Sequence, residues 1–347
     1  MKKKILVYTV HIILFVGFSF SHSSHAANLS DMDKCLLEIM QTAGDDMTMG
    51  QARDICRRQL EDSAKVKPAA SGQTDAEKQK AVDERLAADK SNVLKPFTLM
   101  AHKPNYVLLG TYNASGYDPT LYRLQYNDPS IELKDQEIQF QISIKSPLAI
   151  GLFKDTTDLY FAYTNRSFWQ FYSKDISSPF RETNHEPEAW FQFTPEWEFM
   201  GFRNPVNAFG IVHQSNGQGG VLSRSWHRLY AYFVIERGNL ALSLKPWYRI
   251  NEKDEDDDNP DITDYLGHGE LRAAYKLNRH TFSLMLRNNL ESGFKRGAVE
   301  AGWSFPLWKY KYFKGYMQYF SGYGESMIDY NRYVNRIGIG ILLSDFL

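Results

Sequence analysis

The chain has 347 residues, of which 43% are apolar, 14% aromatic and 23% charged, with a formal charge of -1 at pH 7. That balance excludes the broad basic footprint of a nucleic-acid-binding protein, so no nucleic-acid partner is expected. Beyond the first 26 residues no uncharged apolar run approaches the ~18 residues a transmembrane helix needs.

Residues 1–26 read as a secretory signal, with Lys2-Lys3-Lys4, the apolar stretch Ile5 to Phe20, and Ser24-His25-Ala26 as cleavage site. Its removal takes three lysines and no acids, which moves the formal charge from -1 to -4. Residues 27–63 read as a small helical hairpin carrying both cysteines, Cys35 and Cys56, and in a secreted chain such a pair predicts a disulfide. Residues 64–91 are charged, rich in Ala and Lys and free of aromatics, which predicts a linker or a frayed helix.

Residues 92–347 read as the barrel domain, and from about Phe97 the pattern is period-2 alternation. Leu240, Leu242 and Leu244 share a face against Ser243 and Lys245, and Ile337, Ile339, Ile341 and Leu343 share another. Such alternation over ~10 residues is the signature of strands with one face to lipid and one to a polar lumen. Twelve strands are predicted, near 104–113, 134–145, 153–164, 188–200, 206–217, 225–236, 239–250, 265–277, 280–290, 297–305, 311–321 and 333–345. Connections after even strands are short and most of those after odd strands are long, including 114–133, 165–187, 251–264 and 322–332. The 21 Tyr and 22 Phe suit aromatic girdles. The predicted fold is an all-β, twelve-stranded antiparallel transmembrane barrel with a small helical N-terminal extension.

On the fifth strand Phe209, Ile211, His213 and Ser215 share a face, whose apolar start marks it as lipid-facing. On the sixth, His227, Leu229, Ala231, Phe233 and Ile235 share the equivalent face. His213 and Ser215 stand ~6.6 Å apart by strand rise, within reach of one another's side-chain ends. A neutral imidazole there could take the hydroxyl proton while an ester in the outer leaflet lay beside the nucleophile. For a lone His-x-Ser, a pair of polar rim residues is the commoner explanation.

The blocks His213-Gln214-Ser215-Asn216-Gly217, Ser223-Arg224-Ser225-Trp226 and Lys245-Pro246-Trp247-Tyr248 resemble the signature of the bacterial outer-membrane phospholipase A family. Ser177 to Asn184, Asp257 to Thr263 and Ser321 to Ser326 continue the resemblance in the expected order, across roughly residues 100–347 but outside 27–91. The resemblance implies a calcium-dependent hydrolase of phospholipid and lysophospholipid acyl esters, of phospholipase A1/A2 and lysophospholipase type, in the bacterial outer membrane and active as a homodimer. It implies Ser215 as nucleophile, His213 as general base and the Gly217 amide as an oxyanion donor. Calcium would be held by the Ser223 hydroxyl, the Gln218 carbonyl and the Ser177 carbonyl of the partner subunit, with Asp258 available to a further site.

Four departures stand out. His227 occupies the third triad position, usually Asn in the family; neutral His227 can accept from the first imidazole and protonated His227 cannot. Gly220 stands where some members carry an aspartate implicated in calcium binding. Asn165 takes a position where relatives bear a Gln facing the dimer contact, and the chain ends on Phe346-Leu347 rather than on an aromatic. The rival expectations are a non-catalytic porin-like barrel and a lipid A deacylase. Arg228, Arg249, Lys245, Glu236 and Glu300 on the lumen faces predict a filled polar interior rather than a wide pore.

Overall fold

The structure is a computed structural model that describes residues 99–345 apart from 174–178, 196, 294, 309 and 311, together with the separate positions 35, 50, 51, 53, 55, 56, 82, 85–87, 89 and 92. The signal segment 1–26, Ser177 and Phe346-Leu347 lie outside the described residues. The chain forms two compact units, 1–76 and 77–347. In the first, the described residues are helical and Cys35 is bonded to Cys56, with Cα atoms 5.8 Å apart.

The second unit is a closed antiparallel sheet of twelve strands and two two-residue segments. The strands are β1 (Asn105–Asn113), β2 (Gln136–Gly151), β3 (Thr157–Trp169), β4 (Phe180–Phe193), β5 (Phe202–Ser215) and β6 (Ser225–Arg237). They continue as β7 (Leu240–Ile250), β8 (Gly269–Leu277), β9 (His280–Asn288), β10 (Gly297–Pro306), β11 (Lys314–Gly322) and β12 (Val334–Ser344). Each pairs with its sequence neighbour, and β12 pairs with β1 through contacts such as Ile337 with Tyr112. Closure leaves no free edge, which is what a sheet in hydrocarbon requires.

Side chains alternate as the sequence predicts. Leu109, Ile211, Leu244, Leu271, Leu284, Ile337 and Ile339 stand exposed on the outer face. Phe233, Tyr275, Phe282 and Trp303 ring it towards the short turns, and Tyr112, Phe180, Tyr248 and Tyr333 towards the long loops. No described helix is long and apolar enough to cross a membrane.

The lumen is lined with ion pairs. Buried Arg181 meets Glu137 at 2.6 Å and also contacts Asp329. Lys245 lies 3.5 Å from Glu188, Arg166 lies 3.8 Å from Glu300, and Glu236 pairs with Arg203. Charges removed from water in this way persist only when paired, and the pairs line a lumen that holds a cavity of about 370 Å³ between them. Within the stretch read as a linker or a frayed helix, Val82, Arg85 to Ala87 and Asp89 are helical. Val82 and Leu86, four residues apart, pack against Val206, Val234 and Ala241, while Asp89 accepts from Lys145 at 2.6 Å. Spacing of four places both apolar residues on one helical face, and that face is buried among the strands.

The third and fourth strands differ most from expectation. They meet at Trp169 and Phe180, so the connection expected at 165–187 shortens to 170–179, and β4 starts eight residues before its predicted position. The reason is local composition. Inward Arg181, Glu182, Asn184 and Glu188 are buried, and outward Thr183 and His185 are polar too, so this half of β4 carries no apolar alternation.

Candidate active site

β5 and β6 run antiparallel with Ser215 opposite Ser225 and His213 opposite His227. Phe209 and Ile211 on the same face of β5 are about half exposed, so His213 and Ser215 point out of the barrel towards the rim with the long loops. Gln214, between them, points inward and accepts from Trp226 Nε1 at 2.9 Å. The lumen side is thereby locked, and the two outward residues inherit their orientation from the pleat.

The imidazoles meet across the strands. His213 Nδ1 is 3.2 Å from His227 Nδ1, and the ring centroids are 4.5 Å apart with planes tilted by 36°. With Nδ1 so engaged, Nε2 is the nitrogen His213 has left for another partner. Ser215 makes no hydrogen bond to His213 in this structure; its hydroxyl stands two residues along the same face. On β4 the residue opposite Ser215 is His185.

The loop after β5 is built around Asn216. Its Oδ1 accepts from the Gln218 amide at 3.2 Å and the Arg224 amide at 3.0 Å, and its Nδ2 donates to the Leu222 carbonyl at 2.7 Å. Gly217 (φ 64°) and Gly220 (φ 64°) supply the left-handed turns this arc needs. The loop leaves Ser223 donating its hydroxyl to Asp258 Oδ2. Asn259, fully buried, accepts the Ser225 amide at 2.9 Å and so ties the acidic segment to the start of β6. Asp257 is taken up by Arg249, both oxygens at 2.7 Å, which leaves Asp258 as the carboxylate beside Ser223.

The structure thus brings together His213 with His227 and Ser223 with Asp258, and places Ser215, Gly217 and Gln218 on the adjoining strand end and loop. Ser177, whose carbonyl belongs to the expected calcium set, falls outside the described residues. No group of three His, Cys, Asp or Glu side chains is arranged to hold a metal among the described residues. A hydroxyl, a carboxylate and a loop carbonyl are nevertheless the hard oxygen donors calcium takes. Sequence reasoning missed Asn216 and Asn259, which make the loop rather than touch substrate. Their signal was their place inside otherwise recognisable blocks.

Next to this site lies a polar patch on the outward face of β3 and β4. Tyr163 Oη is 2.6 Å from His185 Nδ1, and Ser167 donates to Asn165 Oδ1 at 3.0 Å.

Comparison with known proteins gives the family of the chain and the fold of its barrel. A family profile described as Phospholipase A1 matches residues 82–343. The chain belongs to the phospholipase A1 family. It is 37% identical to phospholipase A1 of Klebsiella pneumoniae over 250 residues, 72% of this chain and 84% of the relative, and 37% identical to that of Escherichia coli K12, with 72% and 83% covered. A Neisseria meningitidis serogroup B protein assigned to the same group is 34% identical over 339 residues, 94% of this chain and 86% of that one, so the likeness extends into the N-terminal unit.

Among solved structures, the Salmonella typhi outer membrane phospholipase dimer with bound calcium is 36% identical, with a TM-score of 0.67, covering 74% of this chain and 97% of that one. Outer membrane phospholipase A from Escherichia coli gives 0.66 at 36% identity, covering 72% and 100%. The barrel is therefore one of the bacterial outer membrane, and the activity class of this phospholipase A1 family member is a phospholipase acting on ester bonds.

Proposed function

We propose that the chain is a calcium-dependent phospholipase that cleaves acyl esters of phospholipids and lysophospholipids at the outer leaflet, with Ser215 as nucleophile and His213 as base. The observation that carries this reading is the outward His213–His227 contact with Ser215 beside it, on a surface where unpartnered polar groups are costly. Ser215 Oγ attacks the ester carbonyl carbon as its proton passes to His213 Nε2. The same proton then goes to the departing glycerol oxygen, leaving an acyl-Ser215. Water attacks that ester with His213 again as base, and fatty acid leaves as the serine is restored. The Gly217 amide serves the developing oxyanion, a role suited to a positive-φ loop residue just past the end of β5.

Ser223 Oγ and the Gln218 carbonyl would hold calcium, joined by the Ser177 carbonyl of the partner subunit, and Asp258, in contact with Ser223, would bring a carboxylate close to that ion as well as to a further site. When bound, the ion supplies positive charge beside the oxyanion. The donors fit by chemistry and by the Ser223–Asp258 contact, and the Salmonella typhi relative is described as a dimer with calcium. The Tyr163, Asn165 and His185 patch supports a homodimer, because a second barrel would cover polar groups otherwise facing lipid. The opposite charges paired across the lumen favour this reading over a porin.

Fatty-acid release from phosphatidylethanolamine in mixed micelles tests the assignment. Purified protein is expected to release it, whereas turnover of lipid A alone would replace the substrate class.

His227 adds a pH signature. It must be neutral to accept from His213, and His213 must be neutral to act as base, so activity is lost as pH falls through either titration. A proton on either ring breaks the relay, and His227→Asn, whose amide takes up no proton, is expected to extend activity to lower pH. Identical profiles would remove His227 from the site.

A further inference from the structure

Two neutral imidazoles that touch through Nδ1 cannot both donate or both accept. The 3.2 Å contact between His213 and His227 therefore has two solutions. If His227 donates, His213 carries its proton on Nε2 and has no lone pair to offer Ser215. If His213 donates, its Nε2 is free, and His227 must carry its own proton on Nε2. An asparagine oxygen at this position accepts in one way only, so the ambiguity arises with histidine. The pair by itself does not choose.

A third group stands where the choice is made. His227 Nε2 lies 3.7 Å from Glu252 Oε1. The strands explain why: His227 is opposite Ile250 at the end of β7, and Glu252 comes two residues later, returning to the same outward side. The Glu252 side chain is 17% exposed against 42% for His227, and its Oε1 is buried without a hydrogen bond from any described residue. A carboxylate at this point favours an N–H on Nε2 over a lone pair.

We infer that Glu252 is a positioning residue that holds His227 in its Nε2–H tautomer, so that His227 accepts from His213 and His213 keeps Nε2 open for the Ser215 proton. The inference rests on the Ser215/His213 reading and deepens it. His227 is faced by His213 from β5 and by Glu252 from the loop after β7. Glu252 is faced in turn by His227, Arg249, Asp257 and Asp258. Asp257 is occupied by Arg249 and Asp258 by Ser223, which leaves Glu252 as the carboxylate at the pair. Burial, reinforced by Asp257 and opposed by His227, pushes the Glu252 carboxyl above the usual carboxylate range, so it loses its charge early on acidification.

The test uses the full-length protein in micelles with calcium. Glu252→Gln is expected to lower kcat about tenfold with KM unchanged, since it weakens proton transfer and leaves lipid binding alone. In the His227→Asn background, adding Glu252→Gln is expected to change nothing further, because an amide oxygen needs no tautomer selection. Imidazole nitrogen shifts of His227 are expected to move from the Nε2–H form towards a mixture in Glu252→Gln. An equal loss in both backgrounds would mark Glu252 as structural only, and no loss in either would remove it. Ser215→Ala separates the two levels: an active Ser215→Ala protein overturns the parent reading, whereas an inactive one beside a silent Glu252→Gln overturns Glu252 alone.

Discussion

Ser215→Ala is expected to remove calcium-dependent fatty-acid release, with kcat falling by about 10⁴-fold or more, while the barrel folds as before. A nucleophile that forms the covalent intermediate has no substitute in its neighbourhood, and deletion of one member of such a unit costs nearly as much as deletion of all. Folding is expected to survive because the Ser215 hydroxyl faces outward and carries no hydrogen bond within the sheet, whose ladder at that point runs through the backbone to His185 and Ser225. The measurement is fatty-acid release in mixed micelles beside circular dichroism of the same sample. Undiminished release from folded Ser215→Ala protein would take Ser215 out of the mechanism.

Chelation of calcium is expected to have the next largest effect, a drop of about 10²- to 10³-fold in kcat, reversed when calcium is restored. The magnitude is that of losing one stabilising partner of an oxyanion. The drop is expected to come without unfolding, since Asn216 and Asn259 hold the loops through hydrogen bonds that involve no ion. Ser223→Ala is expected to raise the calcium concentration needed for half-maximal activity. Full activity in chelator would contradict the metal reading and leave the Ser/His pair standing.

The strands and their faces were legible because a strand in a membrane is written twice, once in its lipid-facing residues and once in its lumen-facing ones. β7 shows this well: Leu242 and Leu244 look out, and Ser243 and Lys245 look in. The half of β4 from Phe180 to Glu188 was illegible for the opposite reason. Its inward residues serve the lumen ion pairs and its outward residues belong to the polar patch around His185, so neither face carried an apolar signal. The stretch containing Val82 and Leu86 reads in the sequence as a linker or a frayed helix, and its buried face stays hidden there, because two apolar residues among many charges do not announce such a face until the strands that cover them are in place.

In the site, the outward direction of His213, Ser215 and His227 followed from counting alternate residues. Glu252 was open to the same counting, since it continues the outward series after Tyr248 and Ile250, yet it lies in an acidic run where one carboxylate looks like the next. Only the register of β6 against β7 sets that particular glutamate beside His227.

By itself, then, the amino-acid order determined the barrel, the number of its strands and which side chains meet lipid, because a period of two and the spacing of turns are local properties of the chain. Tertiary structure alone decided which of many charged residues pair across the lumen, which ring nitrogen of His213 is engaged and which acid of the loop reaches the histidines. Those depend on register and closure between segments distant in sequence, and no local pattern encodes the contact before the sheet has closed.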